Sequence, residues 1–492
     1  MQYFSTRNKN YKVSSAEAIA KGLAPDGGLF VPEYVPSVSA DGIKALCKMD
    51  YRGRAVDIMS RYLEDFSREE LECFVKAAYG ENFDHEEIAP VHFVDDNTAV
   101  LELWHGPTCA FKDMALQMLP HLLTASLKKC GEQRKVCILV ATSGDTGKAA
   151  LEGFADVEDT RILVFFPHNG VSDVQKLQMV TQSGKNVGVS AVYGNFDDAQ
   201  TGVKKIFSDK EFAEKISEKG WFLSSANSIN WGRLLPQIVY YFSAYCDYVN
   251  SGKIAFGDVI DFAVPTGNFG DILAGWYAKQ MGLPVGKLLC ASNSNNVLTD
   301  FFESGVYNKN RPFHCTLSPS MDILVSSNLE RLLYCISQDD ELVASYMKSL
   351  NTEGSYNVSD QIKAVLAENF VGGFCSDEST KKVINDVYIK HDYLIDTHTA
   401  VAYETVSRYR ENNAAVPTVV VSTASPFKFC DSVLSALGDE SKLCGTELIE
   451  KLSEVTGRKV PYPLAGLDKR EKRFNGVCEK ADMLKTVEDF LD

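Results

Sequence analysis

Twice in this chain an apolar run of strand length breaks on glycine and passes straight into a helical pattern. The first unit is residues 138–147, ILVATSGDTG, and the second is residues 260–271, IDFAVPTGNFGD. A turn of this kind gathers the free N–H groups of a loop and a helix start at one spot, with the helix dipole behind them. It also constrains topology, because a strand feeding a helix through a short loop implies a crossover to a parallel neighbour. The alternation continues elsewhere. Residues 136–142, 161–167, 188–192, 259–265 and 418–423 read as strands, and residues 148–154, 172–181, 196–208, 234–249 and 271–281 as helices. The expected fold class is α/β, with parallel sheets covered by helices.

Neither turn is a nucleotide motif. The first has no lysine placed as in a P-loop, and the second lacks the third glycine of a dinucleotide fingerprint. A third stretch, residues 105–113 (HGPTCAFKD), joins the apolar run 98–104 to a helical pattern over 114–129 through Gly106 and Pro107. Lys112 stands at that helix start beside Ala110, Phe111, Met114 and Ala115. A cation there opposes the dipole, and burial lowers a lysine pKa and makes the amine nucleophilic. Taken alone, a lysine at a helix end is more often a solvated surface residue. Combined with two phosphate-type loops it fits pyridoxal phosphate: one amine for the aldehyde, one loop for the phosphate, another for a substrate.

Composition narrows the partners. The formal charge of −16 argues against nucleic-acid and membrane partners, whose binding needs basic surface, and leaves room for an anionic small molecule held by locally concentrated cations. The 13 cysteines, an odd number without a C-x-x-C pair, read as reduced thiols in a cytoplasmic protein. The eight histidines show no ligand spacing, so no metal site is expected. The first residues, MQYFS, lack the basic and apolar regions of a secretory signal, and no stretch approaches a membrane span.

The ordered set of residues 3–7, 22–32, 105–113, 142–147, 194–198, 227–233, 267–271 and 422–428 resembles the threonine synthases, in the longer branch with an extended N-terminus. The resemblance implies a tryptophan-synthase-β-like, fold type II pyridoxal-phosphate enzyme: two parallel-sheet α/β domains plus a mainly helical N-terminal extension. The division expected is 1–95 for the N-terminal domain, 96–135 with 254–435 for the large cofactor domain, 136–253 for the small domain, and 436–492 for a helical appendage.

The resemblance also implies residue roles. Lys112 carries the cofactor and is the catalytic base. Gly267, Asn268, Phe269 and Gly270 hold its phosphate, and Thr423 meets its pyridine nitrogen. Asp145 stands where many relatives carry asparagine beside the phenolic oxygen; a carboxylate there repels that oxygen unless a proton is shared. Thr142, Ser143 and Thr146 take the substrate, Asn227, Ser228 and Arg233 clamp its phosphate, and Lys148 adds charge. Read without the resemblance, Arg233 is better explained as a surface ion-pair partner.

The implied reaction turns O-phospho-L-homoserine and water into L-threonine and phosphate, by γ-elimination and β-addition of water, in a monomer or weak homo-oligomer. The alternatives are a serine/threonine dehydratase-like enzyme, which needs no phosphate clamp, and a phospholyase-type threonine synthase-like protein.

Overall fold

Short runs buried on both faces set the sheets, and the loops that follow them set the site. The computed structural model describes residues 1–439 and 441–492. At the N-terminus β1 (Tyr3–Ser5), β2 (Asn8–Val13) and β3 (Phe30–Pro32) form an antiparallel sheet in the order β2-β1-β3. Helices Ser15–Lys21, Ala40–Leu46, Tyr51–Ser60 and Arg68–Ala78 accompany it. Two of them start on capping boxes, Ser14 with Glu17 and Ser67 with Glu70, which satisfy orphan N–H groups at the helix start. The helices follow the sequence pattern. The small sheet was not anticipated, because β2 is polar and largely exposed.

The remaining strands follow in order. They are β4 (Val91–Phe93), β5 (Thr98–Glu102), β6 (Lys135–Ala141), β7 (Thr160–Pro167), β8 (Val187–Val192) and β9 (Trp221–Ser224). Then come β10 (Ile260–Pro265), β11 (Val285–Ser292), the antiparallel pair β12 (Val306–Asn308) and β13 (Ser355–Asn357), β14 (Phe370–Phe374), β15 (Thr418–Ser422) and β16 (Val477–Cys478). The larger sheet has the order β14-β11-β10-β15-β5-β4, parallel except for β4. The smaller is β16-β8-β7-β6-β9, parallel throughout. Strands β8, β10 and β15 are buried along their whole length, as central strands covered on both faces must be.

Five of the loops singled out in the sequence leave the C-terminal end of a parallel strand. Residues 105–113 follow β5, 267–271 follow β10 and 423–428 follow β15 in the larger sheet; 142–147 follow β6 and 225–233 follow β9 in the smaller. This is where open parallel sheets collect ligand-binding loops.

Three segments sit elsewhere than the sequence division puts them. Residues 91–93 form the antiparallel edge of the larger sheet, not part of the N-terminal unit. Helix Trp231–Asn250 packs on helix Gly270–Gln280 and on N-terminal helices, not on the smaller sheet. It is buried nearly all round, so it shows no apolar stripe from which its neighbours could be read. Residues 477–478, expected in a helical appendage, extend the smaller sheet beside β8, and Met483, Val487 and Leu491 pack into its core with Leu139 and Phe165. No helix among the described residues is long and apolar enough to cross a membrane.

Candidate active site

Residues 109–111 run antiparallel against 423–425. The Phe111 N–H donates to the Thr423 carbonyl at 2.8 Å, the Ser425 N–H donates to the Cys109 carbonyl at 3.1 Å, and Ala110 bridges Ala424. Lys112 follows at the start of the short helix Asp113–Leu116. Behind it the buried Asp113 carboxylate accepts the Thr108 N–H at 2.8 Å and the Thr108 hydroxyl at 2.7 Å, which locks the turn. A Cβ on Gly106 would lie 2.6 Å from that carboxylate, so glycine is required there. Burial pushes the Asp113 carboxyl up to about 7 despite the Thr108 bonds.

The Lys112 side chain is half-buried, with Nζ 4.7 Å from the centre of the Phe111 ring. Burial lowers its pKa; Asp145 and Asp271 oppose the shift, while Lys428 and Arg233 add to it. The result is an amine biased toward its nucleophilic free base.

Residues 267–271 form a cradle of N–H groups. Among the described residues, the N–H groups of Gly267, Asn268, Phe269 and Gly270 have no protein acceptor. Phe269 is left-handed at φ 65°, and helix Gly270–Gln280 begins directly behind. The Asp271 carboxylate accepts the Ile272 N–H at 2.9 Å, and burial pushes its pKa up to about 6. The loop is held from outside: Asn328 Nδ2 donates to the Asn268 carbonyl at 2.9 Å and the Ser326 hydroxyl to the Gly267 carbonyl at 2.7 Å.

The second turn is built by Thr142. Its buried hydroxyl accepts the N–H groups of Gly144 at 3.0 Å and Gly147 at 2.9 Å and donates to the Gly144 carbonyl at 3.1 Å, so it shapes the loop. The N–H groups of Ser143, Asp145 and Thr146 find no protein acceptor among the described residues. Asp145 opens helix Asp145–Phe154 and is itself buried, accepting from Gln175 Nε2 at 2.9 Å and from Lys428 Nζ at 2.7 Å. Burial disfavours its charge, but the ammonium groups of Lys428 and Lys112 and these two hydrogen bonds hold its pKa well below the usual carboxylate range. Lys148 does not join this group as expected. Its ammonium pairs with Glu152 at 2.7 Å and with Gln182, inside the smaller unit.

The third group follows β9. Asn227 is exposed, and its Oδ1 accepts the Ser228 hydroxyl and the Ile229 N–H, both at 3.3 Å. Asn230 caps helix Trp231–Asn250 through the Gly232 N–H at 2.8 Å. Arg233 is buried, only 3% exposed. It donates to the Ala226 carbonyl at 2.7 Å, its Nε has no partner, and no carboxylate among the described residues pairs with it. Burial alone pushes its pKa down to about 10. A desolvated cation without a counter-ion is costly, which marks a place where an anion belongs.

Thr423 is buried, and its hydroxyl has no protein partner among the described residues. Ser425 Oγ caps the turn Pro426–Lys428. Sequence reasoning missed Gln175, Ser326, Asn328, Arg331 and Lys428. Only Lys428 carried a signal, as the cation that ends the 422–428 stretch.

Family models described as "Threonine synthase N terminus" and "Threonine synthase, C-terminal" match residues 2–79 and 399–490. Threonine synthase from Pseudomonas aeruginosa is 38% identical over 475 residues, covering 96% of this chain and 95% of that protein. Threonine synthase-like 1 from Homo sapiens is 42% identical over 434 residues, 86% of this chain; the chain spans 58% of that relative's length. The crystal structure of PLP-bound threonine synthase from Brucella melitensis matches with a TM-score of 0.89 at 38% identity, covering 100% of this chain and 98% of that one. The chain therefore has the fold type II, tryptophan-synthase-β-like fold of pyridoxal-phosphate enzymes. Within that class, the chain belongs to the threonine synthase family.

Proposed function

We propose that this chain converts O-phospho-L-homoserine and water into L-threonine and phosphate, using pyridoxal phosphate. The observation that carries the reading is Arg233, a buried guanidinium with no carboxylate partner among the described residues, which together with the separate N–H cradle of 267–271 lies close to Lys112. Two anion sites around one amine suit a phosphorylated cofactor together with a phosphorylated substrate.

The residues fit the cofactor. Lys112 would hold its aldehyde carbon, the open N–H groups of 267–270 its phosphate, and the unpartnered Thr423 hydroxyl its ring nitrogen. When bound, it supplies an electron sink for charge left on substrate carbon. Lys112 Nζ, biased to the free base, takes the proton from the substrate Cα and then one from Cβ, which lets phosphate leave Cγ; a proton is returned to Cγ before water adds at Cβ and to Cα at the end. The open N–H groups and hydroxyls of Ser143 and Thr146 orient the substrate carboxylate. Arg233, with Asn227 and Ser228, grips the phosphate as it leaves Cγ and keeps it beside Cβ, where water adds. The unit around β6–β9 closes over the substrate and excludes water until that step. The same reading makes the protein a cytoplasmic enzyme of small molecules, supported by cysteines that are all unpaired.

The likeness to threonine synthase-like 1 keeps open a second reading, a threonine synthase-like protein, which we take as a phospholyase that releases phosphate without making threonine. Product analysis separates the two. With O-phosphohomoserine, equal amounts of threonine and phosphate support the first reading. Phosphate with 2-oxobutanoate and ammonia supports the second. No phosphate release contradicts both.

A further inference from the structure

Lys428 is the strongest feature that the proposed reaction leaves unused. It ends the turn Pro426–Lys428 after β15, its side chain is fully buried, and it has two partners: the Asp145 carboxylate at 2.7 Å and the Thr108 carbonyl at 2.9 Å. Thr108 belongs to the turn that presents Lys112, and Asp145 opens a helix of the smaller unit. The ammonium therefore ties the Lys112 turn to the helix facing it. The charged groups around the Lys112 amine are Asp145, Asp271, Lys428 and Arg233.

Besides Lys428, the cation that acts on the buried Asp145 anion is Lys112 itself. An ion pair with Asp145 would hold Lys112 protonated, and a protonated amine is no nucleophile. With Lys428 in place the carboxylate is already neutralised, and Gln175 fixes its orientation. We propose that Lys428 is a positioning residue: its buried ammonium occupies Asp145 so that the Lys112 amine stays free. Lys428 also answers the repulsion a carboxylate at position 145 would exert on an anionic oxygen of the cofactor. The assignment rests on Lys112 being the amine of the proposed reaction.

Two readouts on the full chain test it. The first is the pH dependence of Lys112 labelling by an amine reagent, read by peptide mass spectrometry before cofactor is added. The second is the pH dependence of the visible absorbance after pyridoxal phosphate is loaded. Lys428→Met is expected to raise the labelling midpoint by about one pH unit or more, slowing labelling near neutrality about tenfold. Asp145→Asn alone should lower the midpoint, because Lys428 is then uncompensated. The double variant Lys428→Met/Asp145→Asn should return close to wild type, and Lys428→Arg should restore part of the loss. Should Lys428→Met not fold, Asp145→Asn and the double variant still complete the comparison, since a neutral pair replaces a buried ion pair at little cost. An unchanged midpoint in folded Lys428→Met, or Asp145→Asn and the double variant titrating alike, overturns the assignment. If wild type takes up no cofactor, the reading of the site fails, while the labelling titration still decides the role of Lys428.

Discussion

Asn328 binds the Asn268 carbonyl twice, through its backbone N–H at 3.1 Å and its side-chain Nδ2 at 2.9 Å. The same Nδ2 lies 3.4 Å from the Ser228 carbonyl, and Asn328 Oδ1 accepts from Arg331, whose Nε donates to the Phe30 carbonyl at 2.9 Å. One fully buried amide thus ties the 267–271 cradle to the 227–233 group, with Arg331 anchoring both to the N-terminal unit. Asn328→Asp would set a carboxylate against those carbonyls, beside an intended phosphate. It should weaken pyridoxal-phosphate affinity at least tenfold, with a stability loss of about 1–3 kcal/mol for the unmade buried bonds. Cofactor titration and urea unfolding check this; wild-type affinity would show that the cradle does not need Asn328.

Arg233→Ala should impair use of a phosphorylated substrate more than cofactor binding. Losing a charge-assisted hydrogen bond costs about 1.5–3 kcal/mol, or about tenfold to a hundredfold in kcat/KM. Inorganic phosphate should inhibit the wild type and inhibit the variant more weakly. Since the guanidinium has no counter-ion among the described residues and its Nε no partner, the variant should be at least as stable as wild type. Unchanged kcat/KM and unchanged phosphate inhibition would remove Arg233 from the site.

The sequence carried the loops better than their supports. Residues 138–147 and 260–271 were legible because strand, glycine and helix follow one another locally, and Lys112 because its apolar neighbours adjoin it in the chain. Asn328 and Arg331 were not, since their partners Asn268, Ser228, Ile229 and Phe30 are distant in sequence and meet only through tertiary packing. The stretch between β10 and β15 also supplies β11 and β14, whose pairing along the larger sheet leaves little trace in local pattern. Lys148 is a different case. Its place after Gly147 suggested the pocket, but an i,i+4 partner, Glu152, offered a nearer answer.

His105 is clamped between two carboxylates, Asp84 at 2.6 Å on Nδ1 and Glu102 at 2.8 Å on Nε2. Burial disfavours its charge, yet the two hydrogen bonds overcome this and raise its pKa to about 9. A raised pKa means the stabilisation is complete below the unfolded value of about 6.5 and is lost as pH rises through about 9. His105→Gln should therefore cost up to about 3 kcal/mol at mildly acidic pH and almost nothing above about pH 9.5. Urea unfolding at the two pH values tests this, and an equal loss at both would mean that the histidine stabilises by packing on Trp104 alone.

The most direct test of the whole account is to load the protein with pyridoxal phosphate, reduce it with borohydride and map the modified lysine by peptide mass spectrometry. The account predicts a cofactor adduct on Lys112 alone, stoichiometric with protein, and loss of both adduct and turnover in Lys112→Ala. An adduct on Lys148 or Lys428, or none on any lysine of a folded wild-type protein, would contradict it.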